Sequence, residues 1–168
     1  MANIIGSPSR YIQGKGEIKK LSSYAGNYGK KICILTSESG RKRVEPAILE
    51  GKEDADLKLI FENFNGECSM TEINRLIGEC KAAGCDTIVG IGGGKIHDTA
   101  KAVAYYMGLP VVIVPTIAST DAPCSALSVI YSDEGVFEKY LFLPASPNLV
   151  LVDTDIVCNA PARLLVSG

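Results

Sequence analysis

Five short apolar runs punctuate the chain: KICILT (31–36), LKLIFENF (57–64), DTIVGIG (86–92), PVVIVPT (110–116) and NLVLVD (148–153). Runs of this length, rich in Val and Ile, predict strands buried on both faces of a sheet. Between them TEINRLIGECKAAG (71–84) places Ile73, Leu76, Ile77 and Cys80 at helical spacing. KIHDTAKAVAYYMG (95–108) does the same with Ala100, Val103, Ala104 and Met107. Gly84 and Gly108 fall where helix C-caps belong, and Ser69 or Thr71 can cap the first of the two helices. Strand, helix, strand, helix in that order implies α/β, a Rossmann-like doubly wound parallel sheet with right-handed crossovers.

After Thr116 the pattern changes. Ser125–Tyr131 and Val136–Leu143 read as two antiparallel strands around Ser132-Asp-Glu-Gly135, a β-hairpin appended to the sheet. The last stretch, CNAPARLLVSG, reads as a helix start with Pro161 in its first turn. A helix with only Leu164, Leu165 and Val166 to bury is a poor end for a domain, so the chain is expected to be cut short there. The expected division is a nucleotide-binding α/β domain over 1–160 and the opening of a second domain over 161–168.

Composition narrows the function classes. A chain of 168 residues suits one domain. Apolar residues make up 46% and charged ones 21%, and no apolar run approaches the roughly 18 residues of a membrane span. The opening MANIIGSPSR lacks a basic-then-apolar leader, so a cytoplasmic location is expected. Cys33, Cys68, Cys80, Cys85, Cys124 and Cys158 are scattered with no CxxC pair, which favours buried reduced thiols over a metal cluster. A formal charge of −2 argues against nucleic acid as a partner.

The candidate chemistry sits in GIGGGKIHDTAKAV (90–103), where glycines crowd a lysine between a strand and a helix. A Walker A loop needs Gly-Lys followed by Ser or Thr, but Ile96 follows Lys95. The G-x-G-x-x-G fingerprint matches Gly90 and Gly92 and then meets Lys95 instead of glycine. The physics shared by both templates survives: a strand ends at Ile91, a helix begins, and its free N–H groups and positive dipole end can hold a pyrophosphate, with Lys95 adding charge. A ligand-free tight turn is the plainer alternative. Three consecutive glycines exceed what a turn needs, since each costs about 0.5–1 kcal/mol against alanine.

GGGKIHDTAKAVAYYMGLPVVIVPTIASTDAPCSALSVIY (92–131) and SPNLVLVDTDIVCNAPARLLVSG (146–168) resemble the glycerol dehydrogenase family. These are metal-dependent polyol dehydrogenases related to iron-containing alcohol dehydrogenases and dehydroquinate synthase, and SPSRYIQGKG (7–16) is similar to the family's opening. The resemblance implies that Gly93, Gly94, Lys95, Ile96, His97 and Asp98 hold the pyrophosphate. It implies cofactor contacts from Thr116, Ser119, Ser125, Leu127 and Tyr131, and an Asp121 that faces the polyol. A carboxylate suits that task because it accepts hydrogen bonds from two hydroxyls. The plainer reading of Asp121 is an Asx-turn before Pro123, and of Ser119, Thr120 and Ser125 a solvated loop. His97, the only histidine, is read as partly exposed and structural, with no general-base role. Asp98 and Lys101 also fit an ordinary helix-surface pair at i, i+3.

Two departures from the family pattern stand out. Where the family places an aspartate for the adenosine ribose, LTSESGRKR offers Ser37 followed by Glu38. Arg41, Lys42 and Arg43 can instead accept a 2′-phosphate; since a solvated helical turn explains them as well, NAD is expected and NADP is the alternative. The family also binds a divalent metal, zinc or a similar ion, through an aspartate and two histidines further along, which this sequence does not reach. The resemblance thus implies the NAD-binding domain of an enzyme that oxidises glycerol to dihydroxyacetone, without the family's helical C-terminal domain and inactive alone. Association is expected, as a homo-oligomer or through the face left by the missing domain. A non-catalytic nucleotide-binding module or half-protein is the rival. A phosphosugar dehydrogenase or dehydroquinate synthase-like cyclase ranks last, because no cation lies between Thr116 and Ser132 to meet a phosphorylated substrate.

Overall fold

The computed structural model describes residues 6–167; residues 1–5, part of the opening segment read above for a leader, and Gly168 lie outside it. The strands are β1 (Tyr11–Gly14), β2 (Lys31–Thr36), β3 (Lys58–Asn63), β4 (Thr87–Gly92), β5 (Val111–Pro115), β6 (Leu127–Tyr131), β7 (Phe137–Phe142) and β8 (Leu149–Asp153). The helices are α1 (Leu21–Ala25), α2 (Glu38–Glu50), α3 (Met70–Ala83), α4 (Gly94–Met107), α5 (Thr154–Cys158) and α6 (Ala162–Ser167). Six strands form one parallel sheet in the order β1-β8-β5-β4-β2-β3.

Strand periodicity divides the apolar residues between two cores. Cys33, Leu35, Ile88, Ile113 and Val150 point to one face, where Ile73 and Leu76 of α3 and Ala100 and Val103 of α4 cover them. Ile32, Ile34, Val89, Val112 and Leu149 point to the other, beneath Leu21 of α1 and Val44 and Ile48 of α2. A sheet covered on both faces explains why its central strands read as unbroken apolar runs. β3 departs from the expected two-sided burial: it is an edge strand whose residues are at best half-buried.

Serines cap α2 and α3. Ser37 Oγ accepts from Gly40 N, and Ser69 Oγ accepts from Glu72 N. Gly84 and Gly108 end α3 and α4 in the left-handed conformation, at φ 67° in each case. β4 ends at Gly92, where the apolar run 86–92 ends and one residue beyond the Ile91 end read for the glycine loop; Gly92 pairs with Pro115. The hairpin forms a two-stranded sheet of its own, with shorter strands than expected and a bulge at Ile130/Tyr131. It packs on α4 through Ser128 Oγ, which donates to Asp98 O, and Val129 N, which donates to an Asp98 carboxylate oxygen. β1, α1 and α5 have no counterpart in the sequence reading, and α2 has only the helical turn read at Arg41–Arg43. All six cysteines are free thiols, four of them buried. No helix among the described residues is long and apolar enough to cross a membrane.

Candidate functional site

In chain order β3 returns to one side of β2 and β4 to the other, so the sheet reverses direction between β2 and β4. The crevice beyond the strands' carboxyl ends at such a reversal is where open α/β sheets bind ligands. Ser37 follows β2, Gly93 and Gly94 follow β4, and Thr116 follows β5. The glycine loop therefore lies at the reversal point.

α4 begins differently from α2 and α3. Its N-cap is Gly93, with no side-chain cap, and the first backbone bond back to the cap is His97 N to Gly93 O at 3.1 Å. The amides of Gly94, Lys95 and Ile96 thus precede the helical ladder and carry the positive end of the dipole. Gly94 and Lys95 at this helix start line a cleft of about 290 Å³. It gathers seven of the expected residues, Gly94, Lys95, Asp98, Asp121, Ser125, Leu127 and Tyr131. Thr120, Ala122 and Val129 also line it and were not expected there. Their signal in sequence was weak, because small and apolar residues in a loop and a hairpin say little before the hairpin is placed against the helix.

The glycines divide into two kinds. A Cβ on Gly90 would lie 2.7 Å from Ala100 Cβ, and one on Gly92 would lie 2.5 Å from Ile96 Cδ1. Those two glycines let α4 sit directly on the sheet. A Cβ on Gly94 would meet Thr120 Cγ2 at 3.5 Å, Ala122 Cβ at 3.8 Å and Thr120 Oγ1 at 3.9 Å, all ordinary contacts. Space on the cleft side of Gly94 is therefore left open by the protein itself.

The charges in the cleft are mixed. Lys95 Nζ pairs with Glu67 at 2.5 Å and sits 5.9 Å from the Tyr131 ring centroid. Asp98 and Lys101 do not form the surface pair that their spacing suggested. Lys101 is 1% exposed and Asp98 8%, with Lys101 Nζ 3.0 Å from Asp98 Oδ1. Both belong to the face of α4 that the hairpin covers, which spacing within the helix cannot reveal. Burial pushes the Asp98 carboxyl upward while the Lys101 charge opposes that shift. Asp121 is exposed; the turn around it is made by Thr120 Oγ1, which accepts from Ala122 N at 2.8 Å, rather than by the Asp121 carboxylate.

His97 also corrects its expectation. It is 1% exposed, and neither ring nitrogen has a hydrogen-bond partner in bonding geometry, although the Val114 and Gly92 carbonyls lie alongside. Its side chain is sealed between α4 and the sheet rather than facing the cleft. Burial, followed by the Lys101 charge, lowers its pKa to about 4. Ile96 is buried against Gly92 and brings only its backbone to the site. Thr116 N donates to Gly92 O at 2.9 Å, and Thr116 and Ser119 are half-buried outside the cleft lining.

Ser37 lies one strand away, where its hydroxyl is engaged as a helix cap. The neighbouring cations are also committed: Arg41 to Glu45, Lys42 to Glu38, and Arg43 Nε to Ser39 O. A second cleft is lined by Ile117, Thr120, Pro123, Val150, Val152 and Val157 among others, and no charged side chain faces it. Among the described residues no group of three or more His, Cys, Asp or Glu is placed to hold a metal ion.

The profile of the family described as iron-containing alcohol dehydrogenase matches residues 8–154. A glycerol dehydrogenase of Escherichia coli O6:H1 is 51% identical over all 168 residues, and one of Thermotoga maritima is 51% identical over 163. This chain spans 46% and 44% of those two relatives. The crystal structure of a probable glycerol dehydrogenase from Sinorhizobium meliloti 1021 superposes with a TM-score of 0.90 at 45% identity, covering 98% of this chain and 45% of that one. The glycerol dehydrogenase of Schizosaccharomyces pombe superposes at 0.88 with 35% identity, covering 99% and 42%.

Proposed function

Because the chain belongs to the iron-containing alcohol dehydrogenase family, we propose that the cleft at the start of α4 holds the diphosphate of NAD, and that the complete protein oxidises glycerol to dihydroxyacetone. The observation that carries this reading is the uncapped N-terminus of α4, opening beside Gly94 onto a cleft that a side chain there would fill. Free amides and a dipole end suit an anion, and the missing Cβ allows close approach. When bound, the dinucleotide supplies the hydride acceptor.

The residues of this chain bind and orient. Gly93, Gly94 and the Ile96 amide would cradle the diphosphate, and Lys95 would exchange Glu67 for it. Thr116, Ser119, Ser125, Leu127 and Tyr131 would contact the rest of the cofactor, and Ser37 the adenosine end. The exposed Asp121 would accept hydrogen bonds from the polyol. The His97 side chain makes no contact in this reading. The internal pairing of Arg41, Lys42 and Arg43 favours NAD over NADP. The family implies a metal as well, but the described residues assemble no site for one. This chain alone is expected not to turn over glycerol.

Fluorescence titration of NADH and NADPH into the purified chain tests the reading. NADH is expected to bind more tightly than NADPH, and Gly94→Val to weaken NADH binding by about tenfold or more, equivalent to about 1.4 kcal/mol. Unchanged affinity in Gly94→Val would remove the loop from the site.

A further inference from the structure

Lys101 lies outside every role assigned above, yet it is among the largest fully buried side chains of the protein. A buried ammonium persists only when its charge and its donors are met. Here its Nζ, with three N–H groups to share, lies within hydrogen-bonding reach of Ala122 O at 2.9 Å, of Ser125 O and Ser125 Oγ at 3.3 Å each, of Leu127 O, and of Asp98 Oδ1 at 3.0 Å. Three carbonyls from one short segment therefore converge on a single side chain of α4. That segment follows Asp121 and includes Ser125 and Leu127, and it forms one wall of the cleft whose other wall is the start of the same helix.

The second partner of the lysine extends the linkage. Asp98 Oδ1 faces Lys101, and Asp98 Oδ2 accepts from Val129 N at 3.1 Å. Both carboxylate oxygens are thus taken up in joining α4 to the segment and to β6. Within the segment, Cys124 N and Ser125 N both donate to Asp121 O, at 2.9 and 3.2 Å, so a shift at Ala122 or Ser125 would be passed to Asp121. We propose that Lys101 is a positioning residue: held by Asp98, it clamps the 122–127 backbone at a set distance from the α4 N-terminus and so fixes where Asp121, Ser125 and Leu127 meet a bound dinucleotide and polyol. This rests on the nucleotide reading of the cleft.

Lys101→Met keeps the length of the side chain and removes the donors. Its Kd for NADH is expected to rise about tenfold or more, and amide hydrogen exchange in residues 121–127 of the nucleotide-free chain to quicken. A merely structural role would be matched by Val44→Ala, a core change beneath α2 on the opposite face of the sheet, which is expected to lower Tm yet keep the NADH Kd within about twofold of wild type. Should Lys101→Met fail to fold because it strands the Asp98 carboxylate, the double variant Lys101→Met/Asp98→Asn removes that charge and is read by the same exchange measurement. Unchanged protection of residues 121–127, or a loss of affinity no larger than that of Val44→Ala, would overturn the proposal. If wild type itself bound no NADH, the nucleotide reading would fall, and the exchange measurement would still decide whether Lys101 holds the segment.

Discussion

Gly90→Ala is expected to lower the free energy of unfolding by about 2–3 kcal/mol, whereas Gly94→Ala, four residues on, leaves stability unchanged or slightly raised. The contrast follows from what each new methyl meets. At Gly90 it would lie 2.7 Å from the Cβ of Ala100, itself fully buried, with the Ile96 carbonyl oxygen only 3.4 Å away. Neither neighbour is the flexible end of a long side chain, so the strain must be relieved by lifting α4 off the sheet. At Gly94 the nearest atom is a Thr120 methyl at 3.5 Å, and alanine is the better helix former. Urea unfolding of the two variants measures the difference. Equal stabilities would show that the α4–β4 seam is looser than 2.7 Å implies. Combined with the NADH titration of Gly94→Val, the pair separates a glycine needed by the fold from one needed by the site.

The second large effect is a pH dependence from His97. Folding lowers its pKa from an ordinary 6.5 to about 4, so below pH 6.5 the unfolded chain takes up a proton that the folded chain refuses. Its contribution to stability is therefore intact above pH 6.5 and is lost progressively as pH falls towards 4. By linkage the loss at pH 4.5 is on the order of 2–3 kcal/mol. His97→Leu, of similar volume and without the two unpartnered nitrogens, removes it. The variant is expected to gain on wild type by about that amount more at pH 4.5 than at pH 7.5. Asp98, whose folded pKa is raised, acts in the opposite direction in acid, but it is present in both proteins and drops out of the difference. Thermal or urea unfolding across pH 4.5–7.5 reads the effect. A constant offset between the two proteins would mean that His97 reaches solvent or a partner.

Both predictions depend on how α4 is seated against the sheet. The central strands, the helices α3 and α4, the caps at Ser69, Gly84 and Gly108, and the turn at Gly92–Gly94 were legible because each is written in local spacing. Apolar runs name buried strands, a three-to-four spacing names a covered helix face, and glycine beyond a helix names its cap. The elements that escaped in whole or in part have thin patterns. β1 is four residues long, and α2 buries only Gly40, Val44 and Ile48 among polar neighbours, with Pro46 inside it.

The amino-acid sequence by itself thus determined the parallel α/β class and the strand-to-helix turn at the candidate site, because period and glycine placement depend on near neighbours alone. The tertiary structure decided the rest. Asp98 and Lys101 look like any helix-surface pair until the hairpin is laid across α4, and His97 looks half-exposed until that helix is seated on Gly90. Burial depends on which elements pack together, and the residues that seal these three lie on strands and loops remote in the chain.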